Sequence, residues 1–131
     1  TENGASVVLS GKVSSLSSEW KTCCIDAGGW TFETPTASLA MSSQVRLRVL
    51  ARDVSIAVEK PDSISIRNRL QAEVEEIVAH PSEPAYQLVK LKCPNGEGRL
   101  VSRILNQSVT ELGLHPGSQV WALVKASAVI M

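Results

Sequence analysis

Aromatic residues are scarce in this sequence, and their scarcity argues against one class of ligand. They make up 4% of the 131 residues. Proteins that bind single-stranded nucleic acid stack the bases on exposed aromatic rings. The charges also balance, with 13 basic and 13 acidic side chains, so the basic excess that favours duplex binding is missing. The composition therefore predicts no nucleic-acid partner.

Long apolar runs and a cysteine framework are missing as well. No stretch of about 18 apolar residues is present, which predicts no direct membrane insertion. Residues 1–4 lack the basic and apolar regions of a secretory signal, and there is no initiator Met, so we expect a piece of a longer protein. Cys23, Cys24 and Cys93 form no disulfide framework. This favours a reduced, cytoplasmic setting in which they pack as small apolar side chains.

Patterns that carry catalysis or hold a metal are not found. His80 and His115 have no metal-ligand spacing to the cysteines. No nucleophile lies in a Ser/His/Asp or Cys/His constellation, and no Gly-rich loop ending in Gly-Lys-Ser/Thr offers a phosphate cradle. We therefore predict that this chain is not itself an enzyme, binds no metal cation and holds no nucleotide.

Alternation of apolar and polar residues, the period of β-strands, dominates the chain. Two sets of four strands are predicted, separated by Gly and Pro turns. Arg46 and Arg48, like Lys90 and Lys92, alternate with apolar residues and are interpreted as a solvated strand face. The first set of strands covers residues 7–13, 22–26, 30–33 and 45–51, and the second covers 70–78, 87–93, 99–105 and 120–125.

The two sets repeat one another. Residues 45–51 align with residues 120–126, and upstream Leu9 aligns with Leu70 and Val13 with Val74. Each unit has roughly 60 residues, which is small for an independent core. We therefore expect two units of about five strands that pack together or exchange a strand. The predicted boundaries are a first, degenerate unit over residues 1–58, a connector over 59–64 and a second, complete unit over 65–131.

One short helix is predicted, in the second unit. Ser108 followed by Glu111 is a capping-box pattern, in which the serine precedes the first turn of a helix. Gly113 suits a left-handed residue at the helix end. The matching residues of the first unit, 36–40, have no such cap. The fold class predicted is therefore all-β with one short helix.

Three segments of the second unit carry hydrogen-bond donors that suit a tetrahedral anion. The first and last strands of a closed barrel are neighbours, so two of these segments are expected to meet. Each donor also has a plain interpretation, as a helix cap, an exposed strand-end charge or part of a turn, and the pattern alone leaves both open. The donors are Ser65, Arg67 and Asn68 before the first strand, Ser108 at the predicted helix start, and Lys125, Ala126 and Ser127 after the last strand.

The same segments resemble the molybdate-binding Mop domain. The succession of residues 45–49, 51–55 and 63–68 resembles, more specifically, the C-terminal regulatory (Mop/TOBE-type) region of the ATP-binding subunit of molybdate ABC importers. The resemblance covers nearly the whole chain and is strongest from residue 45 to 126. It implies a pair of OB-like five-stranded barrels, with molybdate or tungstate bound at barrel interfaces that a second copy of the domain completes.

The resemblance also implies the ligand residues. The family's Ser-x-Arg-Asn motif falls on Ser65, Arg67 and Asn68, and its Lys-Ala/Ser strand end falls on Lys125 and Ala126, followed by Ser127. The family's Ile-Thr-x-x-Ser motif ends at Ser108, and Leu105 stands where it has a hydroxyl donor. The lost hydrogen bond to a charged ligand corresponds to roughly 1.5–3 kcal/mol.

In the first unit, Ala51, Arg52 and Asp53 are aligned with residues 125–127. Asp53 repels an anion unless Arg52 compensates, so we expect the second unit to supply most of the site and the first unit to supply Arg52 or backbone groups.

As a function, the resemblance implies a cytoplasmic domain, peripheral to the inner membrane through the rest of the importer, that senses intracellular oxyanion as a homodimer and modulates transport. Two alternatives stay open. One is a purely structural dimerisation module, favoured by Leu105 and by the degenerate first unit. The other is an OB-type nucleic-acid binder, against which the balanced charge and few aromatics argue.

Overall fold

The computed structural model describes residues 5–36 and 38–131. In these residues the chain forms nine strands and a single short α-helix, which confirms the predicted fold class. A 3₁₀ turn follows β4 at Ala51–Asp53 and another follows β9 at Ala126–Ala128. The elements are β1 (Ser6–Ser17), β2 (Thr22–Ala27), β3 (Trp30–Pro35), β4 (Gln44–Leu50), β5 (Ser55–Ala57), β6 (Asn68–Ala79), β7 (Tyr86–Lys92), β8 (Arg99–Leu105), α1 (Asn106–Leu112) and β9 (Gln119–Val124).

The strands form two antiparallel sheets built on one plan. The first sheet has the order β3-β2-β1-β4, and the second has the order β5-β9-β6-β7-β8. All eight predicted strands are confirmed, and β5 is an additional strand of three residues. The charged residues that alternate along β4 and β7 lie on solvated faces, as predicted: Arg46 and Arg48 are exposed, and Lys90 pairs with Glu76 at 3.2 Å.

The internal repeat is confirmed in the register of the sheets. Leu9 faces Leu47 across β1 and β4, and its aligned partner Leu70 faces Ala122 across β6 and β9. The register of β1 against β2 shifts just after Val13, and that of β6 against β7 shifts just after the aligned Val74. A bulge of this kind bends a strand locally. Both long strands therefore bend at the same place in the repeat.

The two halves exchange a short segment after each 3₁₀ turn. Strand β5 follows the first turn and pairs with β9, where Ser55 faces Leu123. In return, Ile130 follows the second turn and bridges to Arg48 of β4 through two backbone hydrogen bonds of 2.7 and 3.0 Å. Strand exchange, one of the two packings expected from the sequence, is therefore confirmed. The boundaries at residues 58 and 64 stay predictions.

A buried hydroxyl in each half holds the segment that arrives from the other half. The Ser102 hydroxyl on β8 donates to the carbonyl oxygen of Val54, just before β5, at 2.5 Å. The Thr34 hydroxyl on β3 donates to the carbonyl oxygen of Ala126, in the second 3₁₀ turn, at 3.4 Å. Ser102 is 0% exposed and Thr34 is 2% exposed. Each bond satisfies a polar group that water cannot reach, so the exchanged segments are fixed in register.

Side chains of both sheets close one apolar core. Phe32 and Ile25 of the first sheet and Leu91 and Leu100 of the second are fully buried in it. Burial of one such side chain contributes about 1.5–3 kcal/mol. Cys23 and Cys93 join this core as predicted, whereas Cys24 is half-buried and lies outside it. Burial, and to a lesser degree the neighbouring Cys24, raises the pKa of the Cys23 thiol above its ordinary value.

The hairpin turns of the two sheets touch each other at glycines. The amide of Gly98, before β8, donates to the carbonyl oxygen of Gly28, between β2 and β3, at 2.8 Å. A Cβ atom on Gly96 would collide with the Gly28 carbonyl oxygen and lie 2.7 Å from the Gly29 Cα. Since these atoms belong to backbone, no side-chain rotation relieves the collision. The halves can meet this closely only where side chains are missing.

Helix α1 begins earlier than predicted, which corrects the role of Ser108. The helix starts at Asn106 and its N-cap is Leu105, with no side-chain capping bond. Asn106 fixes this start, because its amide donates to Ala85 O at 2.8 Å and its Nδ2 donates to Pro84 O at 2.7 Å. Ser108 is therefore the third helical residue and caps nothing. Gly113 ends the helix in the left-handed conformation, φ 63°, as predicted.

None of the helices in residues 5–36 and 38–131 is both long and apolar enough to cross a membrane.

The predicted contrast between the two units at residues 36–40 is supported only in part, since Thr36 and residues 38–40 are not helical and Ala37 lies outside the described residues. The interpretation of residues 1–4 also concerns residues outside the described part.

Candidate functional site

Two of the three predicted donor segments meet where β6 begins and β9 ends. Asn68, the first residue of β6, faces Val124, the last residue of β9. The segment with Ser65 and Arg67 precedes Asn68, and Lys125 follows Val124. Both segments therefore lie at the same end of the paired strands β6 and β9. The expected neighbourhood of the first and last strands is thus confirmed.

The second 3₁₀ turn corrects the alignment of the two strand ends. Val54 N donates to Ala51 O, and Val129 N donates to Ala126 O, so Ala51 corresponds to Ala126. Arg52 then corresponds to Ser127, and the residue that corresponds to Lys125 is Leu50. The alignment of residues 45–51 with 120–126 is therefore confirmed at Ala51, and the placement of residues 51–53 on residues 125–127 is wrong by one residue. The first half has no lysine at this place, and its cation, Arg52, stands two residues later.

Asn68 is placed to organise the site, because its amide is engaged with the other sheet. The side chain is 2% exposed. Its Oδ1 accepts the backbone N–H of Glu33 at 2.7 Å, and its Nδ2 donates to the Glu33 carbonyl oxygen at 3.0 Å. The amide pairs with β3 much as a neighbouring strand would, which satisfies the buried polar groups on both sides. Its predicted contact with an oxyanion stays a prediction.

Arg67 borders the larger of two cavities at this end of β6 and β9. Its Nε donates to Glu33 Oε1 at 2.9 Å, and its side chain is 62% exposed. The cavity has a volume of about 440 Å³, and Ala126 from the second 3₁₀ turn lies on its wall. Its lining residues are Trp20, Thr22, Glu33, Arg67 and Ala126. An anion that enters here meets one guanidinium and one carboxylate.

Arg52 and Lys125 border the second cavity, which lies between the two 3₁₀ turns. Its volume is about 210 Å³. Two cations and one carboxylate, Asp53, face it, so its walls carry an excess of positive charge. Both cations are exposed. The structure therefore brings Arg52 of the first half beside Lys125 of the second. The lining residues are Arg52, Asp53, Ser55, Ile66, Leu123, Lys125 and Ala128.

The remaining predicted ligands are not all gathered here. Ser65 and Ser127 are exposed on the segments next to these cavities. Ser108 lines neither cavity, because helix α1 packs on β7 and β8 at another part of the second half. Within one copy of the chain, Ser108 thus lies apart from the other candidates.

Glu33, Thr22 and Trp20 are site residues that the sequence analysis misses. They belong to the first half, whereas the donor segments were sought in the second. The contact between Glu33 and Arg67 joins residues 34 positions apart. Along β3, Glu33 is simply the outward residue between buried Phe32 and Thr34, so its alternation gives no sign of a site. Only the packing of the two sheets places it beside Arg67.

Several known proteins are similar to this chain. It is 42% identical over 126 residues to the molybdenum import ATP-binding protein ModC of Brucella abortus, a match that covers 96% of this chain and 34% of that protein. It is 35% identical over 127 residues to the protein of the same name from Saccharophagus degradans, covering 95% of this chain and 34% of that protein. The chain thus spans about a third of the length of these relatives.

A solved structure has the same fold. The cytoplasmic molybdate-binding protein ModG, in a crystal form with molybdate bound, matches with a TM-score of 0.78 and 27% identity, over 95% of this chain and 93% of that chain. The resemblance stated from the sequence, to Mop/TOBE-type domains of molybdate importers, is confirmed by these relatives. The family model of the TOBE domain matches residues 64–131, just over half of the chain. This chain therefore belongs to the TOBE domain family.

Proposed function

We propose that this chain binds molybdate- or tungstate-like oxyanions and is the regulatory domain of a molybdate ABC importer. The observation that carries the proposal is the convergence of Arg52 and Lys125, one from each half, on the 210 Å³ cavity between the two 3₁₀ turns. The names of the ModC relatives and the molybdate bound to ModG support this choice of ligand and of setting.

The chemistry of this cavity suits a tetrahedral dianion. A guanidinium offers several N–H donors in a fixed plane and an ammonium offers three that rotate freely, so together they reach oxygens on different faces of the ion. Arg52 and Lys125 contribute two positive charges and Asp53 one negative charge, which leaves one positive charge in excess. The predicted ligands Ser65, Arg67, Asn68, Ala126 and Ser127 lie on the adjoining segments.

A second copy of the domain belongs to the proposal because both cations are exposed. Charges in contact with water attract an anion weakly and are screened by salt. A partner that covers the cavity excludes water and strengthens each of these interactions. The same partner can supply a donor that lies elsewhere on this copy, such as Ser108. Oxyanion binding would then stabilise one arrangement of the homodimer.

Regulation follows from that preference. A ligand shifts an equilibrium only by its difference in affinity for the two states. If the oxyanion binds the dimer arrangement that keeps the ATP-hydrolysing parts of the importer apart, plentiful cytoplasmic oxyanion reduces further uptake at the inner membrane. Hydrolysis itself belongs to the other part of the importer, and this domain contributes binding.

Calorimetric titration with molybdate, tungstate, sulfate and phosphate tests the binding. We expect Arg52→Ala and Lys125→Ala each to weaken molybdate binding by about tenfold, the loss of one charged hydrogen bond of about 1.5 kcal/mol. Arg46→Ala and Lys12→Ala are matched controls, because these exposed cations lie on β4 and β1 and line neither cavity. Equal losses in all four variants would show that general charge, and not this cavity, attracts the ion.

A structural dimerisation module is the second candidate. It is favoured by Leu105, which leaves the N-cap of α1 without a side-chain hydrogen bond where the family has a hydroxyl. Such a module is a folded dimer in sedimentation and releases no heat with molybdate or tungstate. These two results together would reject the oxyanion-sensing function and support a structural dimerisation module.

A further inference from the structure

Glu33 stands out because it is a carboxylate paired with Arg67, one of the predicted oxyanion ligands on the segments next to the 210 Å³ cavity. It belongs to β3 of the first half, yet its Oε1 lies 2.9 Å from Arg67 Nε of the second half. Both residues line the 440 Å³ cavity beside the second 3₁₀ turn. A negative side chain there works against the binding of a negative ligand.

The position of Glu33 is fixed by its backbone and does not depend on the ion pair. Asn68, the residue after Arg67, holds both the N–H and the carbonyl oxygen of Glu33 with its buried amide, at 2.7 and 3.0 Å. The neighbouring residues Phe32 and Thr34 are buried. The Glu33 side chain is only 22% exposed, whereas that of Arg67 is 62% exposed. The backbone of Glu33 is therefore held in place and its side chain is the more enclosed of the pair, whereas the Arg67 side chain is open to solvent.

We propose that Glu33 is an internal competitor for the oxyanion and sets the affinity of the site. In this structure its carboxylate accepts the Nε–H of Arg67. An arriving oxyanion takes over that donor, and Glu33 remains nearby as a repelling charge. The inference rests on the proposed function and deepens it, since the first half, which has no counterpart of Lys125, then adjusts the binding threshold of the second.

The strength of this competition follows from Coulomb's law. An exposed ion pair contributes little by itself, so Arg67 is released at small cost. The larger effect is repulsion between the carboxylate and a dianion a few ångströms away, which in a water-like medium corresponds to a change in affinity on the order of tenfold. Because the repulsion is proportional to the ligand's charge, a tetrahedral monoanion feels about half of it on a logarithmic scale, or roughly threefold.

The test compares wild type and Glu33→Gln in titrations with molybdate, a dianion, and perrhenate, a tetrahedral monoanion. The substitution keeps the shape of the side chain and removes its charge, while the Asn68 contacts to the Glu33 backbone remain. We expect molybdate to bind about tenfold more tightly and perrhenate about threefold more tightly. Raising the ionic strength should reduce both gains.

Glu76→Gln is the matched control. Its carboxylate also forms an exposed ion pair on a strand, with Lys90 at 3.2 Å, but it lines neither cavity of the site. We expect it to leave both affinities unchanged.

The possible outcomes separate the two ideas. If wild type binds molybdate and Glu33→Gln binds it no more tightly, or gains as much for perrhenate as for molybdate, Glu33 is not an electrostatic competitor and the proposed function stands. If neither protein binds molybdate while thermal unfolding shows both to be folded, the proposed function fails and this inference fails with it. Glu33→Ala, which keeps the backbone clamp, must show the same dependence on ligand charge.

Discussion

The two halves of the molecule share their scaffold and differ in their chemistry. Each has a long bent strand, a 3₁₀ turn after its last long strand, and a buried hydroxyl, on Thr34 or Ser102, that holds the other half's segment. Among the residues that the structure describes, the second half alone has a helix, α1, and it has Lys125 after its last long strand. The first half has Leu50 at that place and contributes Arg52, Glu33 and Trp20. Features required for exchange are present twice, while the polar residues are divided between the halves. The two halves thus contribute different residues to one candidate site, and neither half repeats the residues of the other.

The close contact at the glycine turns is the feature whose loss should cost most. Gly96→Val places a side chain against the Gly28 carbonyl oxygen and the Gly29 Cα, so the two turns must separate. We expect the free energy of unfolding to fall by about 3 kcal/mol, the upper part of the range for overpacking. Urea denaturation measures it.

Gly113→Ala is the control for that change, because it adds a methyl group where nothing lies within 4 Å, at φ +63°. Only backbone strain of about 1 kcal/mol is expected there. A loss in Gly96→Val no greater than in Gly113→Ala would mean that the halves do not meet as closely as described.

The two hydroxyls that hold the exchanged segments should differ in strength. Ser102→Ala removes a fully buried bond of 2.5 Å, and Thr34→Val removes a bond of 3.4 Å. We expect the free energy of unfolding to fall by about 1.5 kcal/mol for Ser102→Ala and by about 0.5 kcal/mol for Thr34→Val. Chemical denaturation of both variants decides the matter. A larger loss for Thr34→Val than for Ser102→Ala would mean that the bond to the second 3₁₀ turn stabilises the exchange more than the bond to the segment before β5.

Helix α1 of the second half offers the smallest expected effect, and the only stabilising one among these substitutions. Leu105 is its N-cap and is 45% exposed, so Leu105→Thr loses little packing and adds a capping hydroxyl. We expect a gain of about 0.5 kcal/mol in the free energy of unfolding. The control is Leu112→Thr at the other end of the helix, where Leu112 is 37% exposed. This substitution should lower the free energy of unfolding, because the C-terminal end of a helix has no unpaired N–H for a hydroxyl to cap. Equal shifts in thermal unfolding for the two variants would argue against a vacant cap.

Much of the fold follows from local pattern. Period-two alternation predicts the eight longer strands because each sheet has one wet face, and the alignment of Leu9 with Leu70 holds in register. Strand β5 escapes prediction because three residues are too few to show a period. The true start of α1 escapes it because Asn106 is anchored to Pro84 and Ala85, across a turn, and this contact overrides the capping box at Ser108.

The sequence predicts only those parts of the candidate site that depend on which strands are neighbours. Arg67 and Lys125 come together because the first and last strands of the second half are neighbours, which barrel topology predicts. The place of Arg52 depends on the path of the chain into β5, and that of Glu33 depends on how one sheet packs on the other. Contacts between distant residues of this kind leave no mark on the period of either strand.

The reciprocal exchange of β5 and Ile130 also bears on how such a molecule assembles. A single repeat would end in a tail with no edge of its own to join, so it would need a second molecule to receive that tail and to lend one in return. Within one chain this encounter is intramolecular, with an effective concentration on the order of millimolar. The pair therefore stays together at any dilution. Because the neighbour is always the same one, a residue of one repeat can serve the other without a counterpart there, as Glu33 does beside Arg67.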